Sequence, residues 1–515
     1  MADRIYTSKK SEEILENLRY VTKLEINTLA RIAFCLSLKK TGKDVLRSED
    51  SSGKQIYRGS FFGDDELFIK TLLFTIYDKR VEDEDFAYSR LLVIKDHIDN
   101  GCTLLDEIFQ KSNKDELKFL EMLFYQIKAD SGGIEKENHD ALKLILGINE
   151  LTNTVINIEL NKTDRHVNPH LAIMGKPGGG KTQFLLKILA DIRKSSRYNT
   201  NFILFDYKGD VSQNKDFLSV TKADVFRLPL EHLPINPFIL SDYQEDSVLL
   251  SSREKTESFA SIDKHFGPVQ KGHLTEIIKK GYKARSQLPV KYPDFKEICY
   301  IAEDDYKEED KKRDTLMEIL KDLEQFHLFW QHGDLDKPIE SVAGKTMVID
   351  LHKLPVLKQL VVYLVIERLY KEMAGLPDSN TKDGYREIRT VLVIDEAHNY
   401  LSQKNPFLEK IVREGRSKGI AVFFASQSPN DYDQPSFDFR ELLEFSFIFQ
   451  CDGVSVKAVQ DLLACSQKTA KELQTDIAKQ KVFHAISKSL NDSEEVTRLK
   501  IIPFYEAYSN GEYSQ

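Results

Sequence analysis

Two short runs of this 515-residue chain carry residue types that do phosphate chemistry. The first is Gly175-Lys176-Pro177-Gly178-Gly179-Gly180-Lys181-Thr182, with Gln183 next in line. In the pattern G-x-x-x-x-G-K-[ST] the glycines let backbone N–H groups turn inward around phosphate oxygens, the lysine reaches the terminal phosphates and the hydroxyl helps hold Mg²⁺. Residues 175–183 therefore read as a nucleotide-binding loop, with Lys181 as phosphate clamp and Thr182 as Mg²⁺ ligand. The second run is Val391-Leu-Val-Ile394-Asp395-Glu396, an acidic pair closing an apolar stretch. Asp395 is placed to hold Mg²⁺ through its water shell, and Glu396 to orient or deprotonate the water that attacks the γ-phosphate. Alone, an Asp-Glu pair would read as a helix start; beside a complete P-loop the catalytic reading prevails. The chemistry expected is hydrolysis of ATP with Mg²⁺.

A P-loop needs a strand before it and a helix after it. His170 to Met174 supplies an apolar entry, and Gln183 to Ile192 leaves with helical spacing. Apolar runs at 155–160, 171–174, 202–206, 347–351, 391–395, 421–425 and 445–450 alternate with helical segments, the pattern of an α/β fold with a mostly parallel sheet. In such a sheet the strand ends line the ligand crevice. Gln427, after Ala421 to Ser426, is thus placed to sense the γ-phosphate or its water, or else to cap its loop. Asp206 and Lys208 also fall at a strand end beside the crevice. Arg413 and Arg416 lie in Ile411-Val-Arg-Glu-Gly-Arg-Ser-Lys-Gly419, a basic helix end with a glycine stop. Either could serve a neighbouring subunit as an arginine finger, and either could answer the helix dipole or touch a DNA phosphate; the sequence does not choose.

Residues 1–130 read as a small all-α domain, with helices over Glu12 to Thr22, Ile26 to Leu38, about 64–80, 84–98 and 114–129. The polar, glycine-paired stretch Ala129 to Asn138 marks a linker over 131–150, and residues 151–515 form the ATPase domain. Between about 240 and 340 the strand signal gives way to a charged helical insertion. Its extreme, Glu303 to Asp314, reads as solvated surface.

Net charge of -9 argues against a protein that coats nucleic acid over its whole surface. Residues 1–58 nevertheless hold twelve Lys/Arg against eight Asp/Glu. Lys9, Lys10, Lys39, Lys40 and Lys43 are the candidate phosphate contacts there, against the plainer reading of a solvated face. Five cysteines without C-x-x-C spacing indicate neither a zinc site nor a disulfide framework, and His166, His170, His352 and His398 show no ligand spacing. Cysteine usage and the lack of a long apolar run fit a cytoplasmic protein with no membrane partner.

Taken in order, the P-loop, Asp206-Tyr-Lys-Gly-Asp210, Leu233-Pro-Ile-Asn-Pro-Phe238, Met347-Val-Ile-Asp-Leu351, Ile394-Asp-Glu-Ala-His398, Arg413 to Gly419 and Ser426-Gln427 resemble the HerA/FtsK family of DNA-translocating ATPases. The resemblance covers about 150–500, is poor over 240–340, and lacks the usual N-terminal β-barrel. It implies a RecA-like core, a homo-oligomeric, hexameric ring around duplex DNA, and ATP sites completed by a neighbour's arginine. Residues 1–115 are similar to DndE of DNA phosphorothioation systems, on Asp3 to Ser8, Thr28 to Ser37, Tyr57 to Phe61 and His97 to Gly101. That implies a module facing nicked or duplex DNA. Two functions follow: an ATP-driven DNA translocase or helicase-like motor in DNA modification or phage defence, working with a nuclease or other effector, or a nucleotide-switched scaffold that assembles such a partner without translocating. No nuclease constellation is evident in the chain itself.

Overall fold

The computed structural model describes residues 4–63, 66–77, 84–112, 114–116, 119–120, 122–123, 141–240, 242–261, 266–339, 341–354, 357–403, 405–434, 437–488, 490 and 496–513. The chain divides into two compact units, Met1–Glu135 and Lys136–Gln515.

In the first unit, strands β1 (Arg4–Tyr6) and β2 (Gln55–Tyr57) pair antiparallel beside helices α1 (Lys9–Thr22), α2 (Ile26–Thr41), α3 (Arg58–Phe62), α4 (Glu66–Ile76) and α5 (Glu84–Lys111). The strand pair departs from the all-helical expectation, because three residues are too few to display a period. Ser8 caps α1 by accepting from the Ser11 N–H at 3.2 Å, and Ile14, Leu15 and Leu18 form its buried stripe. In α2 the spacing predicts an inward face of Leu29, Ile32, Ala33 and Leu36; Leu29, Ala33 and Leu36 are buried and Ile32 is half-buried. A Cβ on Gly101 would lie 1.9 Å from the Ala33 carbonyl oxygen, so glycine is what lets α5 close on α2. The break expected after residue 98 is absent, since α5 runs unbroken to Lys111; the helix expected over 114–129 falls largely outside the described residues.

In the second unit the strands are β3 (Lys143–Asn149), β4 (Val155–Glu159), β5 (Leu171–Met174), β6 (Asn201–Asp206), β7 (Asp224–Arg227), β8 (Met347–Asp350), β9 (Thr381–Lys382), β10 (Tyr385–Arg386), β11 (Thr390–Ile394), β12 (Ile420–Ser426), β13 (Asp433–Gln434), β14 (Phe437–Asp438), β15 (Phe445–Ile448), β16 (His484–Lys488) and β17 (Val496–Ile501). Eleven of them build one sheet in the order β4-β3-β17-β16-β15-β5-β12-β11-β6-β8-β7. From β15 to β7 every pairing is parallel, and from β15 outward to β4 every pairing is antiparallel. The parallel strands are buried on both faces and read as continuous apolar runs. Ala172 and Met174 point into one core layer, Leu171 and Ile173 into the other, the two-residue alternation of a strand.

The linker expectation is corrected here. Residues 131–140 lie outside the described residues, but Lys143–Asn149 form a sheet strand whose Leu144 and Leu146 are buried. A bulge between Ile145 and Gly147 interrupts the alternation that would have shown it.

Helices α6 (Lys181–Ser195) and α7 (Lys215–Thr221) cover one face. The charged segment forms α8 (Glu245–Ala260), α9 (Pro268–Arg285), α10 (Phe295–Glu308) and α11 (Thr315–Gln325), which share the opposite core layer with α12 (Lys358–Gly375). Within Glu303 to Asp314, Asp305 and Tyr306 are buried, so that run is not solvated throughout. Short α13 (His398–Leu401), then α14 (Pro406–Glu414), α15 (Val456–Leu463), α16 (Gln467–Lys479) and α17 (Phe504–Ser509) complete the unit. Among the described residues no helix is long and apolar enough to cross a membrane.

Candidate nucleotide-hydrolysis site

Register assembles the site. β5 lies between β12 and β15, and β12 separates it from β11. Ser426 pairs with Met174, Phe424 with Ile394, and Ile394 with Phe205. Gly175, Asp395, Gln427 and Asp206 therefore emerge at the same edge, the C-terminal ends of the parallel strands.

The P-loop is held from both sides. Gly175 N–H donates to Ser426 O at 3.1 Å and Lys176 N–H to Gln450 O at 2.8 Å. Gly175, Gly178 and Gly180 have φ of 149°, 81° and 108°, backbone that L side chains rarely adopt. A Cβ on Gly175 would sit 2.6 Å from Phe449 Cβ, and one on Gly180 would sit 2.5 Å from Phe483 Cδ1. Pro177 and Gly178 are exposed at the tip. Helix α6 starts at Lys181 with Gly180 as an N-cap that offers no side-chain acceptor and with no acid in its first turn. The N–H groups of Gly178, Gly180, Lys181, Thr182 and Gln183 have no hydrogen-bond acceptor among the described residues. Unpaired amides at a helix N-terminus are an anion cradle, and these fit phosphate. Lys181 is buried, its Nζ donating to Lys176 O at 3.0 Å, and burial pulls its pKa below the usual lysine range. The Gln183 side chain turns away, accepting from the Tyr505 N–H at 3.3 Å, so its contribution to the loop is its backbone.

Beside the loop, burial pushes the Asp395 carboxyl up to about 7, with the neighbouring Glu396 and Asp206 carboxylates adding to the rise. The buried Asp395, Glu396 and Asp206 carboxyls form an oxygen donor set whose mutual repulsion a divalent cation would relieve. Asp206 is fixed by the N–H groups of Gly209 and Ser212, both at 2.8 Å. Glu396 stands in the left-handed region (φ +50°), a backbone that costs a non-glycine residue about 1–2 kcal/mol. That turn aims its carboxylate at Lys208, with which it forms an ion pair, and at the Gln427 amide, which donates to it at 2.8 Å. Burial opposes ionisation of Glu396, but Lys208 and Gln427 outweigh it and hold the carboxyl below the ordinary range. His398 Nδ1 lies 3.4 Å from the same carboxylate.

Lys181, Asp395, Glu396 and Gln427 are thus brought together. Arg416 is not: it sits in the 3-10 turn Gly415–Lys418 that precedes β12, at the opposite edge of the sheet. A seven-residue strand separates it from Gln427, roughly 20 Å. Its guanidinium makes no hydrogen bond or ion pair among the described residues, whereas Arg413 lies over the Phe437 ring at 4.8 Å and Lys418 pairs with Asp378 at 2.9 Å. In the first unit Lys9, Lys10, Lys39, Lys40 and Lys43 are exposed, at the start of α1 and at or beyond the end of α2; Lys9 is paired with Glu12 at 2.6 Å.

Lys208 is the site residue the sequence undervalued. Its position at a strand end was visible, but its partner Glu396 lies in a distant segment, and no local spacing reports such a pair. Phe449, Gln450 and Phe483, which brace the P-loop, carried no signal at all.

Comparison with known proteins shows what the two units are similar to. Residues 4–113 match the family of the DNA sulphur modification protein DndE, and residues 146–370 match the central domain of the helicase HerA. The chain joins a DndE-like domain to a HerA central domain. The HerA match holds the P-loop, Asp206 and Lys208, and ends before Asp395, Glu396, Arg416 and Gln427. The DNA import protein CedB of Sulfolobus acidocaldarius is 25% identical over 285 residues, covering 54% of this chain and 43% of CedB. The DNA double-strand break repair helicase HerA of the same organism is 25% identical over 296 residues, covering 55% of each. The chain thus spans about half the length of these relatives. VirB4 of Thermoanaerobacter pseudethanolicus superposes with a TM-score of 0.53 at 16% identity, covering 70% of this chain and 96% of VirB4, a likeness of fold. The HerA-like unit is a P-loop ATPase fold in which the acid-bearing strand is one strand removed from the P-loop strand.

Proposed function

We propose that this protein is a cytoplasmic ATPase whose hydrolysis drives movement along duplex DNA, in a bacterial DNA modification or phage-defence setting. The observation that carries this reading is the convergence of Lys181, Asp395, Glu396 and Gln427 on one sheet edge, behind a loop with five unpaired amides. Lys181 and the loop amides hold the phosphates, and Thr182 and Asp395 hold Mg²⁺. The ion supplies charge neutralisation on the phosphate oxygens. Lys208 and Gln427 keep Glu396 as the carboxylate, the form that accepts a hydrogen bond from the attacking water and so orients and polarises it. Gln427, bonded to that carboxylate, couples the state of the site to β12. Arg416, remote from its own site and with no partner for its guanidinium among the described residues, is available to the site of a neighbouring copy, which supports a ring. The DndE-like unit, with exposed lysines at the ends of α1 and α2, supplies the sequence-independent DNA contact.

The Lys208–Glu396 ion pair gives some support to a second reading. It holds the catalytic carboxylate away from water, as a nucleotide-switched scaffold in a resting state would. One experiment separates the two. ATP turnover of the full chain is measured with and without duplex DNA, together with particle mass in the presence of a non-hydrolysable ATP analogue. The motor predicts DNA-stimulated turnover by a ring, abolished in Lys181→Ala, and a Glu396→Gln variant that binds ATP without turnover. A monomer with DNA-independent turnover rules the motor out.

A further inference from the structure

Outside the nucleotide site, three side chains from two segments far apart in sequence meet at the base of the helical insertion. His232 follows β7, His327 follows α11, and Asp334 lies in the turn beyond it. The two imidazole rings are stacked nearly parallel, 4.8 Å between centroids and 4° between planes. Both present Nε2 to the same oxygen of Asp334, at 3.6 Å from His232 and 3.1 Å from His327. Asp336 approaches His232 Nε2 from the open side at 3.4 Å. The Asp334 carboxylate is itself oriented by the Gln331 N–H at 2.8 Å.

These spacings discriminate between two uses. A direct N–H···O bond spans about 2.7–3.2 Å, which only the His327 contact satisfies. Ligand atoms around a tetrahedral ion with bonds of ~2.0–2.1 Å stand about 3.3–3.4 Å apart along each edge, and the three N···O spacings bracket that value. Two imidazoles and a carboxylate suit zinc and its first-row neighbours, not Mg²⁺. The surroundings add a reason for such a site. His232 immediately precedes Leu233, which bridges Phe329, and the backbone joins Leu233 N–H to Leu328 O at 2.9 Å and Trp330 N–H to Leu233 O at 2.9 Å. The chain leaves for the insertion on one side of this neck and returns on the other.

We propose that His232, His327 and Asp334 bind one Zn²⁺-class ion, with water in the fourth position, and that this ion clasps the neck of the helical insertion. The site is separate from the nucleotide centre and does not rest on the ATPase reading. His327 and Asp334 are seven residues apart, but His232 and Asp336 are 104 apart, so the sequence showed no metal-ligand spacing.

The test uses the untagged full chain, stripped with a chelator and titrated with Co²⁺ alone. One equivalent should develop the visible absorption of tetrahedral cobalt, and Zn²⁺ should displace it and raise the melting temperature. His327→Ala and Asp334→Asn should weaken binding at least tenfold. Asp395→Asn, at the nucleotide site, and His332→Ala, in the neighbouring cluster with Asp294 and Glu297, should leave it intact. Should His327→Ala melt below the stripped wild type, the milder His232→Gln provides the same readout. No tetrahedral band, a band that survives these ligand changes, or one lost in Asp395→Asn or His332→Ala overturns the proposal.

Discussion

Glu367→Gln removes a single charge from the most enclosed ion cluster of the HerA-like unit. Glu367 in α12 is fully buried and accepts from Lys255 of α8 at 2.8 Å, from Lys371 at 2.9 Å and from Ser258 at 2.8 Å, while Lys255 also donates to Pro237 O at 2.8 Å. Burial works against the anion, but the two ammonium groups hold its carboxyl at about 2, from an ordinary 4.5. That preference is on the order of 3 kcal/mol in favour of the folded anion, the lower end of the about 3–5 kcal/mol for breaking a buried pair. Burial already holds Lys255 down to about 8, so in the variant it sheds its proton, which caps the loss. Spread over the 380 residues of 136–515, at about 2.1 cal/mol/K per residue, the loss corresponds to a melting point lower by ~4 °C. Calorimetry of both proteins at pH 7 measures it. The sign with pH follows. A carboxyl held low in the fold stabilises above its unfolded value of 4.5 and loses that contribution as pH falls toward 2, so the two melting curves approach one another in acid. A variant melting within about 1 °C of wild type at pH 7 would refute the charge accounting and make the cluster a matter of shape.

Three further outcomes are expected. Gly180→Ala places a methyl 2.5 Å from Phe483 Cδ1 at a φ of +108°, so ATP binding followed by a fluorescent analogue weakens at least ~10-fold while far-UV circular dichroism is unchanged; wild-type affinity contradicts the bracing role of Phe483. Arg416→Ala leaves ATP affinity intact and lowers DNA-stimulated turnover by about 10³-fold, and unchanged turnover removes Arg416 from the chemistry. His170 is buried neutral, Nε2 donating to Val412 O at 2.8 Å and Nδ1 accepting from Val422 N–H at 3.1 Å, and burial holds its pKa down to about 4. Because the unfolded chain protonates first, stability falls as pH drops from 6.5 toward 4; a melting profile in His170→Asn that is no shallower than wild type there excludes the effect.

The residues that meet at the sheet edge were more legible than the frame that holds them. Phosphate binding demands a contiguous loop, and an acid pair at a strand end needs only a few apolar neighbours, so 175–183, Asp395–Glu396 and Gln427 could be read locally. All seven expected strands exist, because buried parallel strands are unbroken apolar runs. Four were missed. β7 is four residues with charged ends, β16 is five residues broken by Ser487, β17 alternates but with Thr497 as an inward position, and β3 is bulged. Pairings between distant segments were illegible in principle: Lys208 with Glu396, Lys255 with Glu367, and the His232 cluster all depend on which chain ends the fold brings together.

β12 has a consequence of its own. All seven of its residues are buried, it is hydrogen-bonded to a strand on each side, and it can neither stretch nor bend independently. Gln427, at its leading end, donates to Glu396, the residue proposed to orient the attacking water, and Arg416, just before its trailing end, lies at the far edge of the sheet. If copies assemble as proposed, each such strand is a push-rod with one tip in its own combustion chamber and the other at its neighbour's. The order of firing around the ring would then be set by a rigid length of about 20 Å, without any signal having to pass through a flexible part.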